Sequence, residues 1–265
     1  MSRENCAKAD DKPSLNKRQK KIQQLVRQQG FASIESLVQH FQKTPQTIRR
    51  DLNTLSQLGL LTRYHGGAGL PSSVRNVAYQ ERKIFCLEEK QRIANLLVQH
   101  IPNDASLFIN IGTTNEQIAM ALKDHDGLRV ITNNLNVAYI LSRYKNFEII
   151  ITGGVVRHRD RGITGEATLE FVNQFKVDYA IIGISGIEND GSLLDFDYRE
   201  VKVAQAIMAN SRAVYLAVDH SKFSRNAMVR LGHVSAVDAI FTDRALPENF
   251  VSIAAEAGTQ LYVAD

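Results

Sequence analysis

Between Ser106 and Val263 the chain repeats one pattern, a short apolar run that ends in polar or glycine residues followed by a stretch of helical character. The runs are Ser106 to Ile111, Leu128 to Ile131, Phe147 to Ile151, Asp178 to Ile182, Ala213 to Val218, Ala239 to Phe241 and Gln260 to Val263. Asn115 to Leu122 and Glu200 to Met208 are among the intervening helical segments. Apolar runs this short, bounded by turn residues, read as strands. Their alternation with helices means an α/β domain with a mostly parallel sheet covered on both faces. Such sheets bind ligands outside the carboxyl ends of their strands.

Those ends carry the unusual residues. Ile111 runs into Gly112-Thr113-Thr114 ahead of a helix, so backbone amides, two hydroxyls and a helix N-terminus converge where an anion would sit. Ile131 runs into Thr132-Asn133-Asn134, Ile151 leads to Gly153-Gly154, Ile182 runs into Gly183-Ile184-Ser185-Gly186, and Val218 into Asp219-His220-Ser221-Lys222. Each alone is an ordinary turn. Together they describe a crevice for a phosphorylated polyol: Thr113, Thr114 and Lys222 for the phosphate, Thr132, Asn133, Asn134 or Glu200 for hydroxyls.

Other chemistries fare worse. No GK[ST] string supports a Walker A site, no HExxH is present, and Gly183-Ile184-Ser185-Gly186-Ile187 lacks the final glycine of a hydrolase elbow. Asp195 and Glu200 near the crevice could serve an aldose-ketose isomerase as acid and base, so an isomerase-like enzyme stays open as an alternative. A surface ion pair of Glu200 with Arg199 or Lys202 is the plainer alternative for that side chain. Cys6 and Cys86 form no disulfide framework and no zinc-type spacing, so neither metal nor cofactor is expected, and Cys86 reads as a small buried hydrophobe. No apolar run has the length of a membrane helix, and Met1 to Asn16 lacks the core of a signal peptide, which points to a cytoplasmic protein.

A chain of 265 residues has room for a second, smaller module, and charge locates it. Residues 1–75 hold 13 Lys and Arg against 5 Asp and Glu, whereas the rest holds 19 against 23, so the basic N-terminal part is the expected polyanion binder. Ile22, Leu25 and Val26 mark an amphipathic helix stopped at Gly30, and Phe31-Ala32 reads as a link. Ser33 then caps a helix bearing Ile34, Leu37, Val38 and Phe41. Thr44-Pro45 is an N-cap hydroxyl with proline at the first helical position, opening a third helix toward Gly59. Two helices joined by a few residues make a helix-turn-helix, in which the later helix enters the major groove.

On the third helix Ile48, Leu52 and Leu55 share one face, leaving Gln46, Arg50, Asn53 and Gln57 on the other. Arg50 suits guanine, Gln46 and Asn53 suit adenine, Thr47 and Arg49 suit phosphates, and Asp51 is placed to orient an arginine. Leu60 to Tyr64 reads as a strand leading into a His65-Gly66-Gly67 hairpin tip, a wing whose Arg63 and His65 would touch the DNA backbone. Gly67-Ala68-Gly69 is no dinucleotide fingerprint, since no third glycine follows and Pro71 blocks a helix there.

The string Pro45 to Leu52 and the later Tyr64 to Ala68 resemble the winged helix-turn-helix of DeoR-type bacterial transcription regulators. Asn110 to Thr114, Thr132 to Asn134, Gly153-Gly154, Gly165-Glu166-Ala167, Gly183 to Ile187, Gly191, Glu200 and Asp219 to Phe223 resemble the sensor domain of the same family. The chain is therefore expected to divide into a flexible tail (1–13) that shows no resemblance, a mainly α winged helix-turn-helix (14–69), a linker (70–80) that holds Pro71-Ser72-Ser73, and a sensor domain (81–265). The sensor fold would be similar to ribose-phosphate isomerases and related sugar-phosphate binding proteins. Operator contacts would come from Gln46, Thr47, Arg49, Arg50, Asn53, Arg63 and His65. Effector contacts would come from Gly112, Thr113, Thr114, Thr132, Asn133, Asn134, Gly153, Gly154, Gly183, Gly186, Glu200 and Lys222. Leu70 to Ser73, Gly165 to Gln174, Ser192 to Tyr198 and Ser221 to Val229 narrow the resemblance to members answering to glycerol 3-phosphate, with another sugar phosphate as the alternative. A non-enzymatic repressor, dimeric or tetrameric and released from a palindromic operator by its effector, is the implied function. The family usually has an acidic residue where this chain has Asn110.

Overall fold

The computed structural model of the chain describes residues 15–29, 31–64, 66–69, 76, 78–223 and 225–264. The tail, the Gly30 stop, His65, Cys6 and most of the expected linker lie outside them. The chain divides into two units, Met1–Pro71 and Ser72–Asp265. Among the described residues no helix is long and apolar enough to cross a membrane.

The first unit runs α1 (Lys17–Gln29), β1 (Phe31–Ser33), α2 (Ile34–Phe41), α3 (Pro45–Gln57), β2 (Thr62–Tyr64) and β3 (Gly67–Gly69). Its helices start where the hydroxyl residues say they should. Ser33 Oγ accepts from Ser36 N at 3.0 Å, and Thr44 Oγ1 accepts from Thr47 N at 3.3 Å with Pro45 at the first helical position. Ile22, Val26, Ile34, Leu37, Ile48, Leu52, Leu55 and Leu61 pack into one core, which uses the apolar stripe of every helix. Phe31-Ala32 is not the expected link. It opens β1, which pairs antiparallel with β3, and β3 pairs in turn with β2. Gly67 lets this happen, because a Cβ there would lie 2.4 Å from the Phe31 ring and 2.5 Å from Ala32 O. Gly66, at φ +81°, turns the β2–β3 hairpin that forms the wing.

The second unit contains α4 (Tyr79–Ile84), α5 (Leu87–Val98), β4 (Ser106–Ile109), α6 (Thr113–Ala121), β5 (Arg129–Thr132), α7 (Leu135–Leu141), β6 (Glu148–Ile151), β7 (Val155–Val156) and β8 (Ile163–Thr164). It continues with α8 (Glu166–Val172), β9 (Val177–Ile182), β10 (Gly186–Ile187), β11 (Ser192–Asp195), α9 (Tyr198–Ala209), β12 (Ser211–Ala217), β13 (Val229–His233), β14 (Ala239–Thr242), α10 (Glu248–Glu256) and β15 (Gln260–Val263). The seven apolar runs become the seven strands of one sheet, ordered β15-β14-β12-β9-β4-β5-β6, with every neighbouring pair parallel.

Side chains of the inner strands are buried on both faces, as a parallel sheet under helices requires. Leu107, Ile109, Val130 and Ile181 pack with Ile93, Leu97 and Ile118 of α5 and α6. Phe108, Ile131, Ala180 and Ile182 pack with Val203, Ile207 and Phe250 of α9 and α10. The chain order reverses between β9 and β4, so the loops after these strands diverge and leave a crevice at their carboxyl ends. Two small antiparallel sheets, β10-β11-β13 and β7-β8, add to the seven-stranded one.

Candidate effector crevice and nucleic-acid face

On α3 the wheel drawn from the sequence is the wheel observed. Ile48, Leu52 and Leu55 are fully buried, while Gln46, Arg49, Arg50, Asn53 and Gln57 are exposed and Thr47 is half-buried. Asp51 does orient an arginine, and the arginine is Arg18. Its Nε and Nη2 donate to Asp51 at 2.5 and 3.2 Å, and Gln19 Nε2 donates at 3.3 Å, tying α1 to the recognition helix. The Asp51 hydrogen bond, working against burial, holds the Arg18 guanidinium above its ordinary pKa. Arg63 of β2 donates to Asn53 Oδ1 at 2.6 Å and to Arg49 O at 3.3 Å. Arg63 and Asn53, expected as separate contacts, are thus bonded to each other across wing and helix.

In the second unit, Gly112 at φ +155° turns the chain from β4 into α6. The first amides of α6 have no acceptor within the helix, so the turn offers the N-terminal dipole and the Thr113 and Thr114 hydroxyls to one place. That place is a pocket at the carboxyl ends of the strands. Gly112, Thr113, Thr114, Gly183, Glu200 and Lys222 all line it, as do Arg82, Ser185, Asp195 and Arg225. Asn110 reaches an adjoining recess with Asp195 and Glu200, and its Oδ1 accepts from Ile111 N at 2.7 Å.

Six residues expected at the effector stand outside this lining, and bond to or pack against other segments or cap a helix. Thr132 Oγ1 donates to Ile109 O at 2.6 Å, and Asn133 Nδ2 donates to Ile163 O at 3.1 Å. Asn134 Oδ1 caps α7 by accepting from Asn136 N at 2.9 Å. Gly153 O accepts from Thr168 Oγ1 at 2.7 Å, and a Cβ on Gly154 would come within 2.2 Å of that same oxygen. Gly186 lies against the backbone of Arg225, where a Cβ would meet the carbonyl oxygen at 2.1 Å. Glu200 pairs with neither Arg199 nor Lys202; its carboxylate meets Arg157 and, at 3.6 Å, Arg159. Cys86 is half-buried rather than a core hydrophobe, and its backbone is left-handed at φ 53°.

Charged groups of both signs are buried in and beside the crevice. Burial lowers the Lys222 ammonium to about 8 although Asp219, 3.7 Å away, works to raise it. Asp219 is fully buried, which would raise its carboxyl, yet Lys222, Lys90 and bonds from Ser221 bring it down to about 2. Burial lowers Arg82 as well, and Arg82 Nε makes no hydrogen bond among the described residues. Burial raises Asp195, whose Oδ1 accepts from Phe196 N at 2.7 Å. Arg82 and Arg225 escaped sequence reasoning because α4 and the segment after Lys222 carry no strand-end signal.

Residues 18–74 match the model of the DeoR-like helix-turn-helix domain, and residues 86–244 match that of the DeoR C terminal sensor domain. The chain is 54% identical over 240 residues to the glycerol-3-phosphate regulon repressor of Escherichia coli (strain K12), covering 91% of this chain and 95% of that one. It is 50% identical over 246 residues to the protein of the same name from Haemophilus influenzae, covering 93% and 96%. Among solved structures it is similar to ribose 5 phosphate isomerase A from Neisseria gonorrhoeae, at 15% identity and a TM-score of 0.38 over 51% of this chain and 52% of that one. Two domain models in tandem and half-identical relatives along nearly the whole length show that the chain belongs to the DeoR family.

Proposed function

We propose that this protein is a cytoplasmic transcriptional repressor of glycerol and glycerol 3-phosphate metabolism genes, and that glycerol 3-phosphate in the crevice of the second unit releases it from its operator. The observation that carries the effector half is the convergence of a helix N-terminus, two threonine hydroxyls and the cations Lys222, Arg82 and Arg225 on one cavity that also holds Asp195 and Glu200. The cations and the α6 terminus suit a phosphate dianion, and the two carboxylates suit the hydroxyls of a short polyol. Relatives named for the glycerol-3-phosphate regulon support the same ligand.

The site binds rather than turns over. Glu200 is engaged by Arg157 and Arg159, which in turn meet Asp160 and Asp197, so this carboxylate is pinned in an ion-pair network instead of poised as a base. The operator half rests on α3, with Gln46, Arg50 and Asn53 reaching bases and Thr47, Arg49, Arg63 and His65 the backbone. One recognition helix reads only a few base pairs, so the protein acts as a homodimer or homotetramer on half-sites about one helical turn, or a multiple, apart.

Gel-shift titrations of an operator fragment with glycerol 3-phosphate and a panel of other sugar phosphates test this reading. Glycerol 3-phosphate should lower operator affinity at concentrations where the others do not. No response to any phosphate, or a preferred response to another one, overturns the assignment.

A further inference from the structure

Beside the crevice, three side chains of different donor type come together that the proposed function does not use. The Cys86 thiol, a Glu89 carboxylate oxygen and a His220 imidazole nitrogen all lie within 4.8 Å of one another, each residue half-buried. We propose that Cys86, Glu89 and His220 bind a divalent transition ion, zinc above all, through three protein donors and a solvent molecule.

The donors are presented by two separate segments. Cys86 is the N-cap of α5 and makes no side-chain capping bond, and Glu89 follows three residues later in the first helical turn. That spacing sets both on one side of the helix start. His220 opens the turn after β12, where Asp243 accepts from its backbone N at 2.7 Å and from Nδ1 at 2.6 Å. A carboxylate only accepts, so Nδ1 carries the proton and Nε2 is the basic nitrogen. The same carboxylate-histidine pairing orients metal-binding imidazoles generally.

Thiolate, imidazole and carboxylate form a borderline-soft set that suits zinc. Ligand atoms on one tetrahedral zinc stand roughly 3.3 to 3.8 Å apart, given metal-ligand distances of about 2.0 to 2.3 Å. A span under 4.8 Å closes to that by side-chain rotation. A cysteine thiol is ordinarily protonated at neutral pH. Binding therefore replaces the S–H bond by an S–metal bond and releases one proton to solvent. The pattern was invisible as a motif because Cys86 and His220 lie on opposite sides of most of the sheet in sequence.

The full-length chain, stripped with a chelator, should be titrated with cobalt(II) and then zinc(II). The proposal expects one cobalt per chain, a thiolate-to-cobalt charge-transfer band that zinc removes, and about one proton released per ion at pH 7. Cys86→Ala should lose the band, and Asp243→Asn should weaken binding about tenfold or more. Absence of the band at one equivalent overturns the proposal, as does a band that survives in Cys86→Ala, which would place the ion on Cys6. If Cys86→Ala fails to fold by circular dichroism, Glu89→Gln and His220→Gln decide: folded variants that bind cobalt as the wild type does overturn it.

Discussion

Replacing Lys222 by methionine keeps an unbranched apolar stem and removes the charge. The side chain is only 11% exposed and its Nζ lies 3.7 Å from Asp219 Oδ2, so the stem remains packed while the ammonium is lost. A hydrogen bond from a buried cation to a phosphate contributes about 1.5 to 3 kcal/mol, which is roughly a 10- to 150-fold loss of affinity for glycerol 3-phosphate. The pH dependence gives a sharper signature. Burial places the ammonium at about 8 in the ligand-free protein, whereas the phosphate, with a second pKa near about 6, is a dianion throughout the range of interest. Binding needs the protonated lysine. Wild-type affinity should therefore fall only about twofold between pH 7 and 8, and above 8 should fall toward tenfold per unit as a proton must be taken up with the ligand. Lys222→Met should start low at pH 7 and stay level to pH 9. Isothermal titration calorimetry at several pH values measures both. A variant that binds like the wild type at pH 7, or that keeps the same fall above pH 8, refutes the role assigned to this side chain.

Arg50→Ala should lose about 1 to 3 kcal/mol on the operator and little on random duplex, whereas Arg63→Ala should weaken binding to both duplexes and flatten the salt slope by about one unit; equal losses on both duplexes for Arg50→Ala would remove it as a base reader. Asp51→Ala should destabilise the first unit by about 1 to 2 kcal/mol, less than the roughly 3 to 5 of a fully buried broken pair, because Arg18 is 30% exposed and water can take its charge. Denaturant unfolding followed in that unit checks this, and an unchanged midpoint contradicts it. Gly154→Ala meets φ +136° and a Thr168 oxygen at 2.2 Å, so it should cost about 1 to 3 kcal/mol of stability, seen as a lowered Tm, without altering operator affinity.

What could be read in advance followed from periodicity and from local chemistry. Seven apolar runs named seven strands because strands buried on both faces are continuously apolar, and α3 was legible because Ile48, Leu52 and Leu55 recur at helical spacing after Thr44-Pro45. β1 was not legible, since three residues carry no period and its pairing depends on Gly67, far along the chain. The strands β7, β8 and β10 are two residues long and escape for the same reason. In the crevice, Thr113, Thr114 and Lys222 were visible because strand ends point there. Thr132, Asn133 and Asn134 sit at a strand end too, but Thr132 and Asn133 donate to the neighbouring strands at Ile109 O and Ile163 O and Asn134 caps α7, tertiary placements that the sequence does not show. Arg82 and Arg225 reach the cavity from segments with no such signal, through tertiary packing alone.

On the proposed function, occupancy of the crevice and of the operator oppose one another energetically, and linkage makes that opposition measurable from either side. Glycerol 3-phosphate affinity should be determined calorimetrically for the protein alone and for the protein saturated with operator duplex. Operator affinity should be determined with and without saturating glycerol 3-phosphate. Operator DNA should weaken ligand binding by the same factor by which the ligand weakens operator binding, about 5- to 150-fold, corresponding to roughly 1 to 3 kcal/mol. Ligand affinity that is the same with and without operator would contradict it.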